Sequence, residues 1–179
     1  MPEPVNWRWQ ERERVASWPE FRPNALVHAL VAGDVDFVVV GGYAAIAQGT
    51  TRVTHDLDVC FAGDRANLER LGRVLVDLDA RLRGVDEDLP FVPDAATLAR
   101  IRVLTLATNE GPLDVMVQPD GSPRYAQLRD RADRLEVGGA VVLVASLEDL
   151  IAMKRASARG KDLHDLAELE EIARLRGEA

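Results

Sequence analysis

The apolar run Phe37-Val38-Val39-Val40 ends abruptly in Gly41-Gly42 and continues as Tyr43-Ala44-Ala45-Ile46-Ala47. β-Branched residues favour a strand, paired glycines permit a tight turn, and alanine-rich sequence favours a helix. A polar loop then leads through Arg52-Val53-Thr54-His55 into a second strand that begins Asp56-Leu57-Asp58-Val59. Side chains alternate along a strand, so Asp56 and Asp58 share one face while Leu57 and Val59 turn to a core. Two adjacent carboxylates repel each other and are costly unless a cation lies between them. Magnesium binds through one or two carboxylates together with substrate phosphates. Gly41 and Gly42 let the backbone approach such phosphates, with amides at the start of a helix facing the anion.

Strand, Gly-Gly, short helix, then Asp-x-Asp: this order resembles the nucleotidyltransferase superfamily of the polymerase-beta type. The form Arg-x-Thr-x-Asp-Leu-Asp, residues 52 to 58, resembles the subgroup of AbiEii-type toxin nucleotidyltransferases. The segment Lys-x4-Arg-x-Lys-Asp-x2-Asp-Leu, residues 154 to 166, resembles the third and fourth motifs of the same toxins, which lie on C-terminal helices completing a nucleotide site.

The remaining chain supplies the frame. Its 179 residues suit one domain, or one domain plus a helical extension. We divide it into a core over residues 1–145, including a Trp-rich N-terminal segment with Trp7, Trp9 and Trp18, and C-terminal helices over 146–179 that close the cleft. Leu26, Val27, Leu30 and Val31 predict a helix over 24–33, and Leu68, Leu71, Val74, Leu75 and Leu78 predict another from Asp64, a plausible cap, to Asp79. Residues 84–94 read as an acidic, proline-containing loop. Ile101–Thr108 and Leu113–Val117 read as strands around a turn, and Leu135–Val144 as a hairpin split by Gly138-Gly139. Ser146 and Asp149 resemble a capping box for a helix ending at Gly160, and the last helix runs from Asp162 through Leu175.

Two residues break their local pattern. Asp114 interrupts the apolar strand Leu113–Val117, where a lone carboxylate is expensive unless paired, metal-bound or turned to water at a sheet edge. Lys154 falls on the apolar stripe of Leu147, Leu150 and Ile151, so it either snorkels out or points into a site. The net charge of −8 (22 basic against 30 acidic residues) disfavours loose binding to nucleic acid while allowing a local basic groove. The single cysteine excludes a disulfide within the chain, the longest apolar run is too short for a membrane span, and the N-terminus lacks the features of a signal peptide, so a cytoplasmic setting is expected.

The expected fold is α+β: a mixed sheet of four or five strands flanked by helices, with a C-terminal helical pair. The resemblance implies metal-dependent transfer of NMP from an NTP to an acceptor hydroxyl on tRNA, another RNA or a protein, in the toxin of a bacterial toxin–antitoxin pair with a cognate antitoxin as partner. It implies two magnesium ions, with manganese as a substitute, held by Asp56, Asp58 and Asp114, the last as the base or beside it. Gly41, Gly42, Thr50, Thr51 and Arg52 would hold the triphosphate, joined by Lys154, Asp162 and Asp165 from the C-terminal helices. Two other readings stand beside this one: an AMP-adding antitoxin or a small-molecule modifier of the aminoglycoside-transferase kind, and an inactive module that binds nucleotide or a partner.

Overall fold

The computed structural model describes residues 20–85, 91–157 and 160–177, with the side chains of 160–163 outside the description. The three tryptophans, most of the acidic stretch of the 84–94 loop, and the Asp162 side chain therefore lie outside the described residues. In chain order the elements are α1 (Pro23–Ala32), β1 (Phe37–Val40), α2 (Gly41–Ala47), β2 (Leu57–Phe61), α3 (Arg65–Asp77), β3 (Arg81–Leu82), α4 (Ala95–Leu98), β4 (Val103–Thr108), β5 (Gly111–Met116), α5 (Tyr125–Arg131), β6 (Asp133–Val137), β7 (Ala140–Val144), α6 (Leu147–Ser157) and α7 (Gly160–Arg176).

Helix termini follow the local chemistry. Pro23 opens α1, where its missing N–H costs nothing. Asp64 caps α3 by accepting from the Asn67 amide at 3.0 Å, and Ser146 does the same at α6, accepting from the Asp149 amide at 3.2 Å. Gly160 opens α7 rather than ending α6 as its sequence position suggests. Glycine is strongly favoured just past a helix and only modestly at its start, so its position in the sequence alone pointed to the end of α6.

Among the described residues seven strands form one mixed sheet in the order β3-β4-β5-β2-β1-β7-β6, wider than the four or five expected. The two-residue β3 accounts for part of the difference, since so short a strand carries no periodicity to read. β1 is buried at every position and pairs antiparallel with β2 and parallel with β7. β2 in turn runs parallel to β5. The core is built from these strands together with Leu26, Leu30, Leu71, Leu75, Leu147 and Leu150 of the flanking helices. The consequence for the site is positional. β2 and β5 lie side by side in the middle of the sheet, and α6 and α7 pack together beyond the end of β7.

Candidate active site

The parallel pairing of β2 with β5 sets Asp58 directly opposite Asp114, and the antiparallel pairing with β1 sets Asp58 opposite Val40, the residue before Gly41. Asp114 thus sits on an inner strand between β4 and β2, not on an edge. Asp56 lies one residue ahead of β2, where Thr54 Oγ1 donates to its Oδ1 at 2.9 Å. All three carboxylates line one cleft of about 210 Å³, with Gly41, Gly42, Arg52, Thr54 and Lys154 around it.

Gly41 has φ +65°, and a Cβ there would come within 2.1 Å of Asp58 Oδ2. No side chain fits between the turn and the carboxylate. At Gly42 a Cβ would meet Thr54 Oγ1 at 2.7 Å. The glycine pair therefore keeps the backbone flush against the carboxylates and the 52–54 loop, leaving the start of α2 open to the cleft.

The electrostatics are those of an acid-rich pocket without enough compensation. Burial, then the charges of Asp56 and Asp114, push Asp58 up to about 7, against the pull of the Gly42 amide and Lys154. Asp114 is also raised, chiefly by burial, and Arg83 Nη2 donates to its Oδ1 at 3.0 Å and opposes that rise. Across the cleft, Lys154 Nζ donates to Asp165 Oδ2 at 2.7 Å, and Arg52 Nη1 forms an ion pair with the same oxygen. Asp165 is only 4% exposed. It is not among the cleft-lining residues; it supports the two cations from behind.

The structure thus brings together Gly41, Gly42, Arg52, Asp56, Asp58, Asp114 and Lys154. Thr50 and Thr51, expected on the triphosphate, are not part of the cleft lining. Thr50 is buried, and both the amide and hydroxyl of Thr51 are engaged by Glu168. Residues that sequence reasoning missed are Arg83, Met116, Asp120 and Glu168. Glu168 carried a signal, lying three residues beyond Asp165 on one helix face; Arg83, beside a two-residue strand, carried none.

The family described as nucleotidyltransferase of unknown function (DUF6036) matches residues 26–176, most of the chain and all of the cleft. This chain belongs to that family. Its activity class is accordingly nucleotidyl transfer, and the seven-stranded mixed sheet with two C-terminal helices matches solved nucleotidyltransferases. The lincosamide antibiotic adenylyltransferase LnuA, bound to lincomycin, is 15% identical over 83% of this chain and 94% of its own, with a TM-score of 0.57. ANT(2'')-Ia in complex with adenylyl-2''-tobramycin is 19% identical over 86% and 94%, with a TM-score of 0.53. At such identities the likeness is one of fold. Among curated proteins none matches this sequence. The match is to a DUF6036 nucleotidyltransferase, and the narrower AbiEii-type subgroup lies beyond what it states.

Divalent metal is general among nucleotidyltransferases, and the donor set here fits one. Three carboxylates share the cleft, and the mutual repulsion that raises Asp58 is what a cation would relieve. Among the described residues no three His, Cys, Asp or Glu side chains converge at metal-ligand spacing. Magnesium does not require three, because waters and phosphate oxygens complete its shell. No described helix is long and apolar enough to cross a membrane.

Proposed function

We propose that this DUF6036 member transfers a nucleoside monophosphate from an NTP to a hydroxyl of a small-molecule acceptor. The observation that carries the reading is the Asp58–Asp114 register beside the open Gly41-Gly42 turn, faced by Arg52 and Lys154. In the proposed reaction the acceptor oxygen attacks the α-phosphorus, the bond from that phosphorus to the pyrophosphate oxygen breaks, and the hydroxyl proton passes to Asp114, which lies opposite Asp58 on the adjacent strand. Arg52 and Lys154 face the phosphates and offset charge building on the leaving pyrophosphate. Asp56 and Asp58, with Asp114, would hold magnesium or manganese, as a pair of ions that lower the charge barrier between acceptor and phosphate.

Two features favour a small acceptor. Acids dominate the sheet side of the cleft, where Asp120 joins the three carboxylates, and the whole chain carries −8, so a polyanionic acceptor meets repulsion. The chain also spans 94% of LnuA and of ANT(2'')-Ia, whose bound lincomycin and adenylyl-tobramycin are small molecules. A second reading rests on the Arg-x-Thr-x-Asp-Leu-Asp form and keeps the toxin role, with tRNA, another RNA or a protein as acceptor and an antitoxin as partner. Incubating the protein with each α-labelled NTP, magnesium, total cellular RNA, cell protein and a panel of polyhydroxylated small molecules separates the two. Label on a small molecule is expected. Label on RNA or protein transfers the assignment to the toxin reading, and metal-independent labelling overturns the mechanism.

A further inference from the structure

One stripe of α7 runs along the loop that joins α2 to β2, residue against residue. Arg176 donates to the Gln48 side-chain and backbone oxygens, both at 2.9 Å. Ile172 covers Gly49, where a Cβ would lie 3.8 Å from its Cδ1. Glu168 accepts from the Thr51 amide at 2.9 Å and from the Thr51 hydroxyl at 2.7 Å. Asp165 pairs with Arg52. Positions 165, 168, 172 and 176 recur at the helical spacing of three and four, so a single face of α7 makes all of these contacts. The loop has no ladder of its own between Gln48 and Leu57. Its two ends carry local bonds, the Thr50 amide to the Ala45 oxygen at 3.0 Å and Thr54 Oγ1 to Asp56 Oδ1 at 2.9 Å, and its middle is held from α7.

We propose that Glu168 is a positioning residue for nucleotide binding, acting through Thr51 to fix the 50–54 loop so that Arg52 and Thr54 enter the cleft in one arrangement. The inference rests on the nucleotidyl-transfer reading above and adds to it how the phosphate-facing loop is held. Glu168 itself is not among the cleft-lining residues. Its two bonds take up both donors of Thr51, which explains why that threonine does not face the phosphates. The neighbouring pair closes the arrangement: among the described residues Arg52 Nε is buried without a hydrogen-bond partner, and the guanidinium is placed by the Asp165 carboxylate and by close packing on Gly42. Pre-arrangement of this kind favours substrate binding by removing the ordering cost of a loop, and it leaves the reacting groups on β2 and β5 untouched.

The test compares steady-state kinetics of Glu168→Ala, Glu168→Gln and Arg174→Ala with wild type, alongside equilibrium binding of a non-hydrolysable NTP. Losing a doubly accepting carboxylate should raise KM for NTP and Kd for the analogue by about tenfold, with kcat within a factor of two. Glutamine keeps the shape and one acceptor oxygen, so its rise should be about threefold, which also covers the case in which the alanine variant folds poorly. Arg174 pairs with Glu171 on the exposed side of α7, and its removal should change neither constant. If both Glu168 variants bind nucleotide as wild type does, or lose kcat with KM unchanged, the positioning role is overturned while nucleotidyl transfer stands. If wild type neither binds NTP nor labels any acceptor, the reading beneath it fails as well.

Discussion

At the scale of single residues, Asp58 carries the largest electrostatic tension in the cleft. Its carboxyl titrates near 7 in the folded protein against 3.8 for an ordinary aspartate. The folded state therefore holds this proton more tightly than the unfolded chain. That contribution to stability is complete below about pH 4 and is lost as pH rises toward 7. At 1.36 kcal/mol per pH unit, a span of roughly three units sets an upper bound of about 4 kcal/mol. Asp58→Asn removes the cost of ionisation. Urea unfolding in chelator should find the variant more stable than wild type by a few kcal/mol at pH 8, with the gap closing near pH 4, while transferase activity is abolished. A gap of equal size at both pH values would place its origin in packing instead. Residue by residue, the sequence made Asp56 and Asp58 visible because the Asp-x-Asp spacing puts them on one face. Asp114 was visible only as an anomaly in an apolar run, since its partner across the sheet depends on strand order. Lys154 stood out in the same way, and the Asp165 carboxylate that meets it comes from the next helix.

At the scale of elements, the turn between β1 and α2 is where the glycine pair acts. Gly41→Ala forces a left-handed backbone onto a residue with a Cβ and drives that Cβ into Asp58. The left-handed conformation alone costs on the order of 1–2 kcal/mol. The collision displaces the carboxylate as well, so turnover should fall by at least about a hundredfold, given how steeply catalysis depends on placement. Stability and kcat/KM measured on the same preparation check this. Gly49→Ala is the comparison: φ is +112°, so the backbone strain is at least as large as at Gly41, but Ile172 leaves room and no cleft carboxylate is displaced, so the expected result is a loss of stability with most activity kept. A Gly41→Ala variant with normal turnover would show that the turn does not touch the reacting groups. Helices with long apolar periodicity, α3 above all, were legible from sequence, as was the β6–β7 hairpin around Gly138-Gly139. The four-residue α4, the two-residue β3 and the polar α5 were not, because each is held by neighbours rather than by its own pattern. The joint between α6 and α7 was legible as a break at Gly160, but not as the start of the second helix.

At the scale of the whole molecule, charge separates the two acceptor classes. A polyanionic RNA approaching this surface meets a net −8, and among the described residues the cations that face the cleft, Arg52 and Lys154, share Asp165. Binding RNA through released counterions needs several unpaired basic groups on one surface. A small acceptor reaches the cleft without meeting that field over an extended footprint, and the acids on the sheet side attract it if it carries amines. The motif likeness to toxins, taken alone, expects expression of the active protein to slow bacterial growth. The net charge of −8 and the paired cleft cations point the other way. Inducing wild type and Asp58→Asn at matched protein levels should give equal growth curves, because a small acceptor absent from the host leaves its tRNA and proteins unmodified. Arrest by wild type that Asp58→Asn relieves would move the acceptor to a host macromolecule. The local Arg52–Asp165–Lys154 cluster would then have to open to present its cations to RNA. Salt dependence of labelling decides that point: a macromolecular anion bound through released counterions gives a steep loss with rising salt, and a small neutral or cationic acceptor does not.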